Sequence, residues 1–449
     1  MKLVFVNIMH DLYQLDSTAT ISQPPVPLAV LNTVTPKEFE TALLDEQTGE
    51  IQFDGDVFAF SLATQFAKKV YNYADDLRAA GKTVILGGIH VTVCPEEAMR
   101  HADAVVTGEA ETLWPSICED ILSNRLKSRY AGSPTSPSRM VPIDYSFFAG
   151  RPYQVPASLF ATRGCEHRCA FCVSSRYMGP FRTKPLDVLE QEIDQLHLLY
   201  PNAWLQFSDD NLLADREYAF KVLSLLRHKN LRFVTMITLE QLCDKDLIHE
   251  MARSGCLGVA VGIESLNEDN CVSINKRHNV GLPIIEAVIQ ANKMGIQVCA
   301  LLMLGLPHDT PESLENTMHF LERVPFSLYD FRILRIYPGS RLYKKMLANR
   351  TVSEKWWLGE EPVSTNYFLP GHLRVHFTHD HFSPMKLQTA TLMLVDKLNR
   401  LNHKTVKHVA GIGRRGHSLP FAGRILYARS RFVKQARSLG ERVARSMEN

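Results

Sequence analysis

The sequence predicts an α/β protein in which two successive units of alternating strands and helices precede a mostly helical, basic C-terminal region. Residues 1–125 alternate short apolar strands with helices, which is typical of a parallel, doubly wound (Rossmann-like) sheet. Residues 158–345 repeat a strand and a helix six times, at a spacing of roughly 25–45 residues, which indicates a partial (β/α)6 barrel. After about residue 346 this alternation stops.

Each element of the first unit is predicted from a short apolar run or from helix punctuation. Four strands are expected, at KLVFVNI (2–8), VFAFSL (57–62), TVILGG (83–88) and ADAVVTG (102–108). Helices are expected at 63–81, ending on Gly81, and at AETLWPSICEDIL (110–122). The segment PLAVLNTVTPKEF is ambiguous between helix and strand. Residues 126–157, which include SPTSPS, are predicted to be a linker.

The second unit is predicted with the same alternation. Strands are expected at 158–163, 203–208, 231–238, 256–263, 296–304 and 329–336. Helices are expected at about 186–199, 215–229, 244–254, 281–294 and 311–323. A further helix is expected near 383–402, and the last 27 residues or so are predicted to form a basic amphipathic helix.

Composition excludes several classes of protein. Apolar residues make up 45% and charged residues 22% of the 449-residue chain, as in ordinary globular proteins. The N-terminus lacks the features of a signal peptide, and no apolar run is long enough to span a membrane, so a cytoplasmic location is expected. The nine cysteines are too sparse for a secreted disulfide framework, and the six that lie outside 165–172 are expected to be buried.

Charge is distributed unevenly along the chain. The net charge is +2, but residues 401–449 contain eleven Lys or Arg and two Asp or Glu. The basic character is therefore a property of the C-terminal tail. This tail suits a membrane surface, an acidic protein partner or an anionic substrate, but it equally suits a helix that packs its apolar stripe on the barrel. Because the tail has few interleaved aromatic residues, a nucleic-acid partner is not expected.

Three cysteines stand close together directly after the first predicted barrel strand. The segment ATRGCEHRCAFC places Cys165, Cys169 and Cys172 with C-x3-C-x2-C spacing. Thiolates are soft ligands that suit zinc, copper(I) or an iron–sulfur cluster. A structural zinc site needs four ligands, which His167 could complete only in a crowded geometry. Three thiolates on a four-iron cluster would instead leave one iron free for a small molecule. The remaining alternative is three unligated thiols.

At these residues the chain resembles the radical S-adenosylmethionine (SAM) superfamily. The match is C-x3-C-x-F-C, with Phe171 directly before the last cysteine, at the start of a β/α barrel. The resemblance implies that Cys165, Cys169 and Cys172 hold a [4Fe-4S] cluster and that SAM binds its open iron. Reductive cleavage of SAM then gives a 5′-deoxyadenosyl radical, which abstracts hydrogen from an unactivated carbon.

Two further strand ends fit the same resemblance. FSDDN (207–211) implies that Asp209 or Asp210 accepts a hydrogen bond from the SAM ammonium group; the alternative is a helix N-cap. GIES (262–265) implies that Glu264 and Ser265 contact the cofactor, with Glu264 on the ribose hydroxyls. The alternative for Glu264 is an exposed carboxylate at a strand end.

The first unit resembles the cobalamin-binding domain that precedes many radical SAM enzymes. The matching pieces are PLAVL, DVFAFSL, LGGIH followed by PEE, and VVTGEAE, in that order. The resemblance implies that cobalamin contacts residues in these turns, which are Ser61, Gly87, Gly88, His90, Gly108 and Glu109. The chain lacks the D-x-H-x-x-G motif of cobalamin proteins that donate an axial histidine. His90 is therefore expected near the corrin, with direct ligation of cobalt as the lesser alternative.

The combination of these two resemblances implies a cobalamin-dependent C-methyltransferase acting on a small molecule in a lipid, tetrapyrrole or other natural-product pathway. A flavodoxin or ferredoxin type of protein is the expected electron donor. One alternative is a cobalamin-fused radical SAM enzyme that cyclises or rearranges its substrate without transferring methyl. The other is a non-catalytic cobalamin or redox sensor, which would not cleave SAM.

Overall fold

The computed structural model describes residues 1–9, 22–359, 375–394 and 397. Two six-stranded parallel sheets dominate these residues. The basic tail at 401–449, with its predicted amphipathic helix, lies outside the described residues. The predicted helix near 383–402 is helical over 384–394, and most of the remainder also lies outside.

The first sheet is entirely parallel, with the strand order β2-β1-β3-β4-β5-β6. Its strands are β1 Lys2–Asn7, β2 Glu40–Asp45, β3 Val57–Ser61, β4 Thr83–Gly87, β5 Ala104–Thr107 and β6 Arg129–Ala131. Five of the six residues of β1 are buried, because a central parallel strand is covered on both faces. The strand order reverses between β1 and β3, and in such sheets ligands bind beyond the carboxyl ends of the strands at this position.

Helices cover both faces of the first sheet. They are α1 Val26–Thr33, α2 Ala67–Ala79, α3 Ile89–Val93, α4 Pro95–Ala98 and α5 Trp114–Leu122. Leu3 and Phe5 pack in one core cluster with α1 and α5, whereas Val4 and Val6 pack in another with α2. Alternate residues of β1 therefore serve two separate cores, which confirms the doubly wound arrangement.

Two parts of this unit differ from the sequence-based prediction. The ambiguous segment after Pro25 forms α1, and β2 follows it as an edge strand that was not predicted. The predicted linker 126–157 contributes β6 to the sheet and buries Tyr145 and Phe148. Tyr145 donates a hydrogen bond to the carboxylate of Glu192 at 3.3 Å, which fixes this segment against the second unit.

The second sheet is also parallel, with the strand order β14-β13-β12-β11-β10-β7. Its strands are β7 Ser158–Leu159, β10 Leu205–Phe207, β11 Phe233–Thr238, β12 Cys256–Glu264, β13 Gln297–Leu304 and β14 Leu328–Ile333. A short antiparallel pair follows β7, formed by β8 Thr162–Arg163 and β9 Arg182–Thr183. The sequential order, with helices between neighbouring strands, is the one expected for a partial β/α barrel.

The helices of this unit agree with the predicted alternation. They are α6 Ser174–Tyr177, α7 Leu186–Leu199, α8 Arg216–His228, α9 Leu239–Cys243, α10 Lys245–Arg253, α11 Glu268–Ser273, α12 Ile284–Lys293, α13 Pro311–Arg323 and α14 Arg341–Ala348. Side-chain caps define several of their starts, such as Thr310 on α13. Among the described residues, no helix combines the length and apolar character needed to cross a membrane.

Candidate functional site

The three cysteines lie on the loop that joins β8 to β9, which we call the cluster loop (residues 164–181). Gly164 begins this loop with a φ of +78°, and a Cβ there would come within 3.0 Å of carbonyl oxygens of Gly179 and Pro180. Only glycine fits this position, because the two ends of the loop pass close together. Cys165, Cys169 and Cys172 are free and half-buried on the loop.

Backbone hydrogen bonds fix the middle of the cluster loop to the second sheet. Ala170 N donates to Ile274 O at 2.8 Å, and Leu342 N donates to Ala170 O at 2.8 Å. The side chain of Asn275 also donates to the Arg168 carbonyl oxygen at 2.8 Å. The loop is therefore held between the segment after β12 and the start of α14, with Phe171 packed against the main core cluster.

The charge around the thiols suits a negatively charged metal cluster. Burial raises the pKa of Cys169 to about 11 and raises that of Cys165 as well. Such thiols ionise when a metal replaces their protons. A cavity of about 420 Å³ opens beside them, lined by Cys169, Cys172, Arg168, Arg176 and Arg341. Within the described part of the chain, none of these three arginines pairs with a carboxylate. The donor set and the surrounding positive charge thus fit a [4Fe-4S] cluster.

One carboxylate ties both ends of the cluster loop to the first sheet. Glu109, two residues beyond β5, accepts a hydrogen bond from Arg163 Nη1 at 3.0 Å and from Arg182 Nη2 at 2.5 Å. Thr135 N donates to the same carboxylate at 2.7 Å. Although burial opposes ionisation, the Arg182 hydrogen bond and the two nearby guanidinium charges lower the pKa of Glu109. Glu109 was expected to contact cobalamin, but its carboxylate is committed to these protein groups.

Arg163 and Arg182 were not singled out from the sequence. They are direct partners in the β8–β9 pair, and like charges directly opposite each other destabilise such a pair. Glu109 pairs with both of them, and Glu111 also pairs with Arg163, so two carboxylates balance the two guanidinium charges. The sequence signal was weak, because an arginine next to a cysteine motif does not reveal a carboxylate 54 residues earlier in the chain.

Asp209 and Asp210 occupy different environments at the end of β10. Asp209 is buried and accepts hydrogen bonds from Ala161 N at 3.0 Å and from Thr162 Oγ1 at 2.6 Å. Burial raises its pKa to about 6. Asp209 therefore fixes the backbone just before the cluster loop, whereas Asp210 is exposed. The alternative that either residue caps the next helix is wrong, since Asp215 is the N-cap of α8.

Glu264 ends β12 in an uncommon backbone conformation. Its φ is +64°, in the left-handed region that non-glycine residues seldom occupy. Its carboxylate pairs with Lys276 Nζ at 3.0 Å, and Lys276 also donates to Gly262 O at 2.6 Å. Strain of this kind persists where the surroundings impose it, and it is concentrated at functional sites. Lys276 was also missed by the sequence reasoning, although it lies only twelve residues after Glu264.

Ser265 is engaged by its own turn. Its hydroxyl accepts hydrogen bonds from Asn267 N at 3.1 Å and from the Asn270 side chain at 3.3 Å. Asn270 in turn donates to Asp309 at 2.7 Å. Ser265 thus links the end of β12 to the turn after β13, and a cofactor contact by this residue stays a prediction.

The glycines of the first sheet divide into two groups. A Cβ on Gly88 would come within 2.6 Å of Leu62 N, and one on Gly108 within 2.4 Å of Gly132 O. Both have positive φ, so neighbouring backbone already explains why they are glycine. A Cβ on Gly87 would make only ordinary contacts of 3.7 Å or more. Gly87 pairs with Ser61 at the carboxyl ends of β4 and β3, where both are half-buried.

His90 is held inside the first unit by contacts to both of its ring nitrogens. The ring is fully buried, with Nδ1 3.1 Å from Thr64 Oγ1 and Nε2 3.2 Å from Glu97 Oε1. The indole of Trp357 donates to the same Glu97 oxygen at 2.8 Å. Because both ring nitrogens are engaged inside the protein, the lesser alternative of direct cobalt ligation by His90 does not fit this arrangement, whereas its position near the corrin stays a prediction.

Comparisons with known proteins bear on both sheets. The model of the Radical SAM superfamily matches residues 159–321. The chain is 31% identical over 335 residues to bacteriochlorophyllide d C-12(1)-methyltransferase of Chlorobaculum tepidum, covering 72% of this chain and 73% of that protein. It is 28% identical over 349 residues to the C-8(2)-methyltransferase of the same organism, covering 74% and 77%.

A solved structure resembles the fold across both units. It is the radical SAM methyltransferase TsrM from Kitasatospora setae, with cobalamin and a [4Fe-4S] cluster bound. The TM-score is 0.61 at 16% identity, and the match covers 78% of this chain and 75% of TsrM. At this identity the comparison demonstrates a shared fold.

Proposed function

This chain belongs to the cobalamin-dependent radical SAM methyltransferase-like family, and we propose that it methylates an unactivated carbon of a small biosynthetic intermediate. It is accordingly an enzyme of the radical SAM class. The observation that carries the proposal is the placement of Cys165, Cys169 and Cys172 on one fixed loop at the carboxyl ends of the second sheet.

The three thiolates would hold the [4Fe-4S] cluster, with SAM on its open iron. When bound, the cluster supplies the electron that cleaves SAM to a 5′-deoxyadenosyl radical. The chain's own contribution is to position the reacting groups and to exclude water. Asp209 fixes the backbone just before the cluster loop. The guanidinium groups of Arg168, Arg176 and Arg341 would offset the negative charge of the cluster and its thiolates.

Residues at the strand ends are proposed to bind SAM. Asp210, exposed at the end of β10, would accept a hydrogen bond from the ammonium group. Glu264 would accept hydrogen bonds from the ribose hydroxyls, and Lys276 would hold its carboxylate in place. The strained backbone of Glu264 supports this role.

Cobalamin is proposed to bind at the carboxyl ends of the first sheet. When bound, it supplies the methyl group that is delivered to the substrate. Ser61 and Gly87, both half-buried at neighbouring strand ends, would flank the site, and the absence of a side chain at Gly87 would let a flat ring come close to its backbone. We propose that this domain extends through β6 rather than ending at residue 125, that residues 158–345 form the radical SAM domain, and that a C-terminal region follows from 346.

The proposed substrate is a tetrapyrrole-like or similarly extended molecule that carries an anionic group. Two relatives that the chain matches over most of their length are bacteriochlorophyllide d methyltransferases by name. The arginines that line the cavity beside Cys169 and Cys172 would suit a substrate carboxylate. An acidic flavodoxin or ferredoxin remains the proposed electron donor.

Anaerobic reconstitution with iron, sulfide and cobalamin tests this proposal. With reductant, SAM and candidate tetrapyrroles, we expect 5′-deoxyadenosine and a product that is heavier by one methylene unit. C165A, C169A and C172A should each abolish 5′-deoxyadenosine formation, whereas C243S, at a half-buried cysteine outside the loop, should not. Unchanged turnover in the three alanine variants would refute the cluster assignment. Product of unchanged mass would favour cyclisation or rearrangement, and failure to cleave SAM would favour a sensor.

A further inference from the structure

We propose that His167, Glu240 and His278 form a second metal site, suited to Zn²⁺, beside the cluster loop and separate from the three cysteines. One ligand atom from each of these residues lies within 4.8 Å of the other two. Two imidazoles and one carboxylate, with a fourth position open to water, form a common zinc ligand set. The proposal does not depend on which methylation the enzyme performs.

The three ligands come from three separate segments that meet at the carboxyl ends of the strands. His167 lies on the cluster loop, Glu240 in the first turn of α9 after β11, and His278 in a short 3-10 turn after β12. The two imidazole rings are stacked, with centroids 4.3 Å apart and planes inclined by 23°. The fold therefore brings together three ligands that are far apart in the sequence.

Each segment is held in place by hydrogen bonds that do not involve the three ligands. Thr238 and Gln241 form a capping box that fixes the first turn of α9. The side chain of Asn279 donates to Gly262 O at 3.1 Å and to Ile263 O at 3.0 Å, which fixes the turn that carries His278. Metal ligands that are oriented in advance in this way lose little freedom when an ion binds.

The ring of His278 has one nitrogen that a metal ion could bind. His278 Nε2 is inaccessible to solvent and has no hydrogen-bond partner among the described residues. Buried polar atoms normally have a hydrogen-bond partner. A cation bound to this nitrogen would take the place of that partner.

Glu240 supplies the carboxylate of the proposed ligand set. Glu240 is exposed and supplies one negative charge at the mouth of the site. The neighbouring ammonium group of Lys276 is already held by Glu264 and by the Gly262 carbonyl oxygen, so it does not occupy this position. A bound ion would tie the cluster loop to the ends of β11 and β12, and would thus fix the loop independently of its cysteines.

The test uses the full-length protein with its iron–sulfur cluster reconstituted. After removal of loosely bound metal, Zn²⁺ is titrated by calorimetry, and zinc and iron are measured by elemental analysis. We expect one zinc ion per chain in addition to the cluster iron. E240Q should weaken zinc binding at least tenfold and H278A should abolish it, with iron content unchanged in E240Q.

Matched controls are available for both substitutions. E312Q alters an exposed glutamate in the first turn of α13, and H249Q alters an exposed histidine on α10; both should bind zinc as the wild type does. Because Glu240 is exposed, E240Q keeps the test decisive even if H278A does not fold. Absence of stoichiometric zinc, or equal zinc binding in wild type and E240Q, would overturn the proposal. Zinc that is lost only in the cysteine variants would also overturn it.

Discussion

The Glu109 carboxylate lies 2.5 Å from Arg182 Nη2, and this contact joins the first sheet to the short β8–β9 pair. Glu109 follows β5 of the first sheet, whereas Arg182 begins β9, at the far end of the cluster loop. The same carboxylate reaches Arg163 at the near end of the loop. This buried acid therefore links the proposed cobalamin side to both ends of the loop that carries the cysteines, and Glu111 gives Arg163 a second carboxylate partner.

We expect E109Q to destabilise the protein and to loosen the cluster loop. Removing one partner of a buried ion pair typically costs about 3–5 kcal/mol. In E109Q, Arg182 would lose its only carboxylate partner among the described residues, while Arg163 would keep Glu111. The free energy of unfolding is measured by urea denaturation, and retention of iron is followed during dialysis against a chelator. E119Q, at an exposed glutamate of α5, is the matched control. Identical stability of E109Q and E119Q would contradict this role.

The contribution of Glu109 should disappear in acid. Its pKa in the folded protein lies below the ordinary value of 4.5. Because the folded state favours the ionised form, this stabilisation is present above the unfolded pKa and is lost as the pH falls through the folded pKa. The difference in unfolding free energy between wild type and E109Q should therefore be constant from neutral pH to about pH 5 and shrink below about pH 4. A difference that grows in acid would exclude this explanation.

Substitution of Lys276 should weaken SAM binding without removing the cluster. In K276Q the Glu264 carboxylate loses a charge-assisted hydrogen bond, so we expect the SAM concentration for half-maximal 5′-deoxyadenosine formation to rise about tenfold or more. Iron content and the visible spectrum of the cluster should stay unchanged. K293Q, at an exposed lysine of α12, is the control. A loss of iron in K276Q alone would assign Lys276 a structural role instead.

Gly88 and Gly81 offer a matched pair of glycines with positive φ. Both would be strained by a side chain, but only Gly88 also faces the backbone of Leu62 at 2.6 Å, whereas Gly81 has nothing within 4 Å. We expect G81A to cost about 1 kcal/mol and G88A at least about 2 kcal/mol more, measured as free energies of unfolding. Equal losses would show that backbone conformation alone requires glycine at position 88.

Local sequence patterns predicted most of the fold and the cluster loop. Parallel strands such as β1 are continuous apolar runs, and the C-x3-C-x2-C spacing is confined to eight residues, so both are visible in one short window. The edge strand β2 was missed because its burial is irregular and charged residues stand at both of its ends. The strand β6 was missed because it is only three residues long and precedes the turn-rich segment SPTSPS.

The partners of charged side chains could not be read from the sequence. Glu109 was expected to face a ligand, since it follows a strand and a glycine, yet its partner Arg182 lies 73 residues away. His90 occupies a turn that resembles a ligand site, yet its nitrogens bind Thr64 and Glu97 inside the protein. Such pairings depend on how elements pack in three dimensions, which composition and periodicity do not encode.

The left-handed backbone of Glu264 has a consequence for laboratory evolution of this enzyme. Glycine at position 264 would relieve the strain of a residue held in the left-handed region. The same replacement would delete the carboxylate that Lys276 holds. Losing one partner of a buried ion pair costs about 3–5 kcal/mol, which exceeds the roughly 1–3 kcal/mol of strain that glycine would relieve. Variants selected for heat resistance alone should therefore retain the strained glutamate.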